Sequence, residues 1–196
     1  MKTKLIALSA ALLLFAGAAR GQSVRINLPF LLAGSPNIGA EFTLNRQLSL
    51  SGDLLWMPYM FKKNEEVFRT LIGVADLRYY VRPTYYYTNN TVDGLYFGPY
   101  AMYGLFNIGP ARYSDPDRNR RYRGWGMSGG LTAGYRFFIA RRFSMDANIG
   151  LGFAHLQYDT FRLGGEYSCY PLSKKDTKMW FGPTRIGLHL VYNLTK

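Results

Sequence analysis

Residues 124–137 alternate between two chemical classes at every second position. The odd-numbered positions include large apolar side chains at Trp125, Met127, Leu131, Tyr135 and Phe137, whereas the even-numbered positions carry only Gly, Ser, Thr and one Arg. A helix has a period of 3.6 residues and cannot sort its side chains in this way, but a β-strand places successive side chains on opposite faces. The segment is therefore predicted to be a strand with one apolar face.

The same alternation recurs along almost the whole chain and predicts seven further strands. The connections after the second and sixth of them are tight, and those after the third, fifth and seventh are long. Alternating short and long connections are typical of up-and-down membrane β-barrels. We therefore expect an all-β, eight-stranded antiparallel transmembrane barrel with a filled polar lumen. Its predicted strands are residues 25–32, 38–44, 48–56, 71–82, 94–108, 124–137, 143–154 and 185–194.

The N-terminus has the features of a secretory signal peptide. Lys2 and Lys4 precede an apolar run over residues 5–19, and small residues follow near position 21. That run is shorter than the roughly twenty residues of a membrane-spanning helix. The prediction is a signal peptide over residues 1–21 and one barrel domain over residues 22–196. The single cysteine, Cys169, excludes a disulfide framework within one chain.

The composition agrees with an exported membrane barrel. The 196 residues include 16 Tyr, 13 Phe and 21 Gly, yet the mean hydropathy is only −0.12. Alternation with polar residues dilutes the apolar residues of a membrane strand in this way. The formal net charge of +12 would suit nucleic acid. For an exported chain, an anionic lipid surface is the better partner. We therefore predict an outer-membrane location and no nucleic-acid partner.

Charges of both signs occur on the face of the strands that lacks the large apolar residues. A soluble lipocalin-like barrel would turn these charges outward. However, the face is mostly Gly, Ser, Thr and Asn, which suits the narrow interior of an eight-stranded barrel. Aromatic residues near the strand ends also suggest interfacial girdles. Paired charges can be buried, so we predict a charge network in the lumen from Arg25, Glu41, Asp53, Asp76, Arg78, Arg136, Asp146 and Arg185.

The last strand resembles the C-terminal assembly signal of outer-membrane barrels. The signal combines a glycine, an apolar residue and an aromatic residue, which here are Gly187, Leu190 and Tyr192. This resemblance implies that the barrel-assembly machinery would recognise the strand. The chain continues four residues further, to Lys196.

The mature chain as a whole resembles the family named domain of unknown function 3575, which is common in gut-type Gram-negative bacteria. The resemblance spans residues 27–194 and implies a small outer-membrane barrel without an established activity. Asp76 and Asp146 stand where the family has Glu. The segments that carry the resemblance are residues 36–41, 76–80, 122–125, 134–135, 149–152 and 181–184.

The sequence offers little catalytic chemistry. A serine hydrolase needs a nucleophile, a histidine and an acid within reach, and the only histidines are His155 and His189. His155 has the position expected in a lipid A deacylase, but no serine lies two residues away. Residues 115–119 resemble the start of a calcium loop, but Arg120 and Gly126 replace its required Gly and Glu. We therefore predict no enzymatic activity, no metal and no cofactor.

A group of arginines is the clearest candidate for ligand binding. In the predicted loop over residues 110–123, arginine side chains could bind lipopolysaccharide phosphates in a bidentate manner. The expected function is structural or adhesive, through this loop and the loop over residues 159–183, with lipopolysaccharide and an envelope or extracellular protein as partners. A narrow channel and a lipid A-modifying enzyme are the alternatives. The arginines are Arg112, Arg118, Arg120, Arg121 and Arg123.

Overall fold

The computed structural model describes residues 21–61, 66–81, 93–109, 119–162 and 170–194. In this part the protein is almost entirely β, with one short helix that is not long enough to cross a membrane. The predicted signal peptide and Cys169 lie outside the described residues. The elements are β1 Gly21–Asn27, α1 Leu28–Leu32, β2 Asn37–Thr43, β3 Leu48–Phe61, β4 Glu66–Tyr80, β5 Gly94–Gly109, β6 Arg120–Ala140, β7 Phe143–Arg162 and β8 Pro171–Asn193.

The eight strands form one antiparallel sheet that closes into a ring. Each strand pairs with its neighbours in sequence order, and β1 also pairs with β8. Two short connections, 44–47 after β2 and 141–142 after β6, lie where the sequence predicts tight turns. We call the end of the ring that holds these turns the lower end. β1 begins and β8 ends at this lower end, because Ser23 is opposite Asn193.

The alternation in sequence becomes an alternation between the inside and the outside of the ring. In β6, Ser128, Thr132 and Arg136 are buried, whereas Leu131 and Phe137 are exposed. The other strands follow the same rule, so the polar side chains fill the lower interior of the ring. Most of the large apolar side chains lie on its outer face.

The predicted first strand, residues 25–32, is wrong in its second half. The chain leaves the sheet after Asn27 and forms α1, with Pro29 in its first turn. Proline cannot donate to a strand ladder but is well tolerated at the start of a helix. The side-chain amide of Asn37 replaces the missing ladder at this point. Its Oδ1 accepts from the Asn27 backbone N–H at 2.5 Å, and its Nδ2 donates to the Asn27 carbonyl oxygen at 3.0 Å.

The predicted loop over residues 159–183 is wrong at both of its ends, which are strand. β7 continues to Arg162 and β8 begins at Pro171, and the two pair beyond Tyr158 and Asp176. β6 likewise begins at Arg120, so part of the predicted arginine loop is strand. These segments escaped prediction because neither of their faces is buried, which removes the alternation that burial of one face imposes.

The ring is closed on all sides only near its lower end. β8 pairs with β1 from His189 to Asn193, and above His189 no strand in the described part of the chain pairs with β8 on that side. On the other side of β8, β7 pairs with it as far as Pro171. An opening in the wall therefore lies between upper β8 and the β2–β3 pair, with α1 beside it.

Candidate functional site

Four arginines and four carboxylates meet inside the lower half of the ring. Seven of the eight strands contribute to this group, each through residues on its inward face. The structure therefore brings together side chains up to 160 positions apart in sequence. We call this group the interior charge cluster, and its members are Arg25, Glu41, Asp53, Asp76, Arg78, Arg136, Asp146 and Arg185.

Glu41 is one of three acids in the interior charge cluster that each pair with three arginines, the others being Asp76 and Asp146. Its Oε2 pairs with Arg136, lies 2.9 Å from Nη1 of Arg78 and lies 3.5 Å from Nη1 of Arg25. Its Oε1 accepts from the Ser49 hydroxyl at 2.7 Å and from the Tyr80 hydroxyl at 3.1 Å. Both carboxylate oxygens are thus fully used, and the charge of Glu41 is distributed over three guanidinium groups.

A second set of pairs forms the upper face of the cluster. Arg25 binds Asp53 in a bidentate manner, with both N–O distances at 2.6 Å. Arg185 bridges Asp53 at 3.0 Å and Asp76 at 2.7 Å. Planar guanidinium groups suit such double contacts because their donors match two carboxylate oxygens at once. Asp53 remains partly accessible, with its side chain 17% exposed, so this pair forms the boundary between the cluster and the space above it.

Tyrosines complete the cluster on the side of β4 and β5. The Tyr96 hydroxyl donates to Asp146 at 2.7 Å, and the Arg78 guanidinium lies 4.4 Å from the centre of the Tyr96 ring. Tyr80 packs against Tyr96 with 5.2 Å between ring centres. Nearer the upper end of the ring, Tyr100 contacts Thr184, and the Arg185 guanidinium lies over the Tyr100 ring. The arginines are thus held both by carboxylates and by aromatic faces.

These tyrosines are site residues that the sequence pattern did not predict. The alternation does place them inside the ring, because Tyr80 has the same parity as Asp76 and Arg78. Tyr96 likewise has the opposite parity to the exposed Leu95 and Phe97. Parity alone places a side chain inside the ring, but it does not reveal which carboxylate a hydroxyl will contact.

Three of the five predicted phosphate-binding arginines lie in the described part of the chain and outside the cluster. Arg120, Arg121 and Arg123 lie in upper β6, whereas Arg112 and Arg118 fall outside the described residues. Arg123 is opposite Asp159, and the Arg121 guanidinium lies 5.0 Å from the centre of the Phe161 ring. The structure therefore does not bring these three arginines of β6 together with the charged interior.

The three residues of the predicted assembly signal lie on lower β8. Leu190 and Tyr192 face outward, opposite Ile26 and Val24. Gly187 faces inward, and a Cβ added there would overlap the His189 ring. A glycine at this position therefore also has a packing reason that is independent of assembly.

The histidines are placed as their parity predicts. His155 lies beside Trp125, with 5.8 Å between ring centres, and His189 is buried between two asparagines of neighbouring strands. Within the described ranges, no group of three or more His, Cys, Asp or Glu side chains could hold a metal ion.

Comparison with protein families identifies this chain. The model of the family described as "Protein of unknown function (DUF3575)" matches residues 4–194. The chain belongs to the DUF3575 family. A search of curated proteins and a search of solved structures both found no match. The structure itself, with its charged interior and its apolar outer face, is therefore the main guide to what this DUF3575 protein does.

The interior charge cluster makes a stability prediction for this DUF3575 protein. Glu41→Leu leaves Arg136, Arg78 and Arg25 without their shared carboxylate. We expect the free energy of unfolding to fall by about 3–5 kcal/mol, the cost of an uncompensated buried charge. The double variant Glu41→Leu/Arg136→Leu should recover part of the loss because it removes one charge of each sign. Urea titration of refolded protein, followed by tryptophan fluorescence, measures both effects.

Asp159→Asn, at the upper end and outside the cluster, is the matched control and should change stability little. Equal losses in the single and double variants would contradict a charge-compensated interior.

Proposed function

We propose that this protein is an integral β-barrel of the bacterial outer membrane. The observation that carries the proposal is the apolar outer face of the ring. Leu131 is 69% exposed, Phe153 71% and Ile186 75%, and they lie on three consecutive strands. Each such side chain gains about 1.5–3 kcal/mol when it is removed from water. A bilayer provides that gain, and it also explains why the charges occupy the interior.

The aromatic residues on the outer face support the same proposal. At the lower end, Phe143 and Tyr192 lie 5.2 Å apart, and on the upper half Tyr103 and Trp125 stack with 6.1 Å between ring centres. Aromatic residues near both ends of the apolar band are typical of barrels at the two membrane interfaces.

The barrel is proposed to be structural and non-conducting rather than a channel. The interior charge cluster fills the lower half of the lumen, and all its members are buried except Asp53 and Arg185 at its upper boundary. Four positive and four negative side chains bind each other at short range, which leaves little net field to attract an ion. A narrow channel would need a continuous hydrated path through this cluster.

Surface interaction is proposed for the upper parts of β6, β7 and β8. The described residues of this region contain seven cationic side chains and only two carboxylates, Asp159 and Asp176. Such a surface favours the phosphate groups of lipopolysaccharide, with a structural or adhesive role in the envelope. No catalytic step is part of the proposal. The cationic residues are Arg120, Arg121, Arg123, Arg162, Lys174, Lys175 and Lys178.

The membrane location is tested by gel mobility. Protein from the outer-membrane fraction should migrate differently before and after boiling, because a folded barrel resists the detergent at room temperature. Recovery of the protein in the soluble fraction, with a single mobility, would contradict the proposal. The same purified protein, inserted in a planar bilayer, should show no stepwise conductance, whereas open-channel steps would favour the channel.

The basic upper surface predicts a phenotype. The variant Arg121→Ala/Arg123→Ala/Lys178→Ala should make cells more sensitive to detergents and to large antibiotics, because fewer cations bridge neighbouring lipopolysaccharide phosphates. Minimal inhibitory concentrations measure the effect. Arg46→Ala, in the lower turn after β2, is the matched control and should have no effect. Unchanged sensitivity at equal protein levels would argue against lipopolysaccharide binding.

A further inference from the structure

A cavity of about 220 Å³ enters the ring from the side, through the opening between β8 and the β2–β3 pair. Its mouth is apolar and includes Ile38, Leu54 and Ile186, which face outward. Ile72, Val74 and Met102 line its inner part, on the inward faces of β4 and β5. The cavity therefore connects the outer apolar surface with an apolar upper interior.

The floor of the cavity is polar. Asp53, Arg185 and His189 line it from below, at the upper boundary of the interior charge cluster. Asp53 and Arg185 already bind each other and further cluster members, so their charges are compensated. A ligand with a net charge would disturb this balance, whereas an uncharged polar group would not.

One buried side chain on the floor lacks a complete set of partners. Asn27 is 9% exposed and lines the cavity, and its Oδ1 has no hydrogen-bond partner among the described residues. Its Nδ2 lies 3.4 Å from Nε2 of His189, whose Nδ1 lies 3.2 Å from Nδ2 of Asn148. A buried polar atom without a partner costs about 1–3 kcal/mol, so a ligand that bonds to it gains affinity.

The histidine between the two amides defines the chemistry of that ligand. A neutral imidazole has one donor and one acceptor nitrogen, so it cannot accept from both Nδ2 groups. Asn148 also donates to Asp146 at 3.1 Å, which fixes its orientation. In the orientation seen in the structure, the oxygen of the Asn27 amide lacks a hydrogen-bond donor. If the amide is rotated so that its oxygen accepts from His189, the nitrogen of the amide lacks an acceptor instead. A hydroxyl group satisfies either orientation.

We propose that this cavity binds an amphiphile with one apolar chain and an uncharged hydroxyl head, which enters sideways from the bilayer. The hydroxyl bonds to Asn27 on the polar floor once its amide, whose Oδ1 is shielded in the structure, turns toward the cavity. The chain passes Ile72 and Met102 and leaves between Ile38 and Ile186. The inference rests on the proposed membrane insertion. It also explains how the open side of the ring is tolerated, since exposed backbone at membrane depth occurs only where it lines a cavity or is covered by protein.

Photolabelling tests the site with the full chain inserted in phosphatidylcholine vesicles. The probe is dodecanol that carries a diazirine in its chain, and labelled residues are mapped by mass spectrometry. We expect label on Ile72 and Met102, which face the interior and are out of reach of bulk lipid. Excess dodecanol should abolish this label, whereas dodecane, which lacks the head, and dodecanoate, which is charged, should not.

Ile38→Trp narrows the mouth from the outer face and should remove the label from Ile72 and Met102. Leu131→Trp, at an outward position on β6, is the matched control and should retain it. Label confined to outward residues such as Leu54, or equal competition by dodecane, would overturn the proposal. Gel mobility before and after boiling is recorded for every sample. Failure to insert therefore counts against the proposed function, and insertion without interior label counts against the site alone.

Discussion

The mutual compensation of buried charges is the constraint on which the rest of this structure depends. Glu41, Asp76 and Asp146 each interact with three arginines, and Asp53 interacts with two. Moving such ions out of water is costly unless each one is paired and hydrogen-bonded. The ring brings inward faces from seven strands close enough to do this. The charges can thus occupy the interior, and the apolar side chains of the same strands are left to face outward.

This division of charged and apolar side chains between the two faces affects both the outer surface and the interior of the ring. The outer face suits a bilayer, which is the basis of the proposed membrane location. The closed lower half is filled by the charge cluster, whereas the upper half is open on one side because β1 ends at Asn27. The opening lies where the polar floor at Asp53 and Arg185 meets an apolar wall. The filled lower half of the ring and the cavity at its open side therefore arise from the same arrangement of strands.

The sequence predicts the faces of the strands well because alternation is a local property. Arg136 and Leu131 could be placed on opposite faces from residues 124–137 alone, and the structure confirms this. The end of β1 was not predicted, since it depends on Pro29 and on the Asn37 side chain ten residues from Asn27. The upper parts of β7 and β8 were missed because no buried face imposes a pattern there. The contacts of Tyr80 and Tyr96 depend on long-range strand register, which alternation does not encode.

The central claim is that even-numbered positions of β6 face a closed interior and odd-numbered positions face lipid. Single nitroxide labels at residues 129–137, in a Cys169→Ser background and in bilayers, test it most directly. Electron paramagnetic resonance should show oxygen accessibility that alternates with a period of two, high at positions such as Leu131 and low at positions such as Thr132. Nickel chelate accessibility should remain low throughout. High chelate accessibility at the odd positions, or no alternation, would contradict the account.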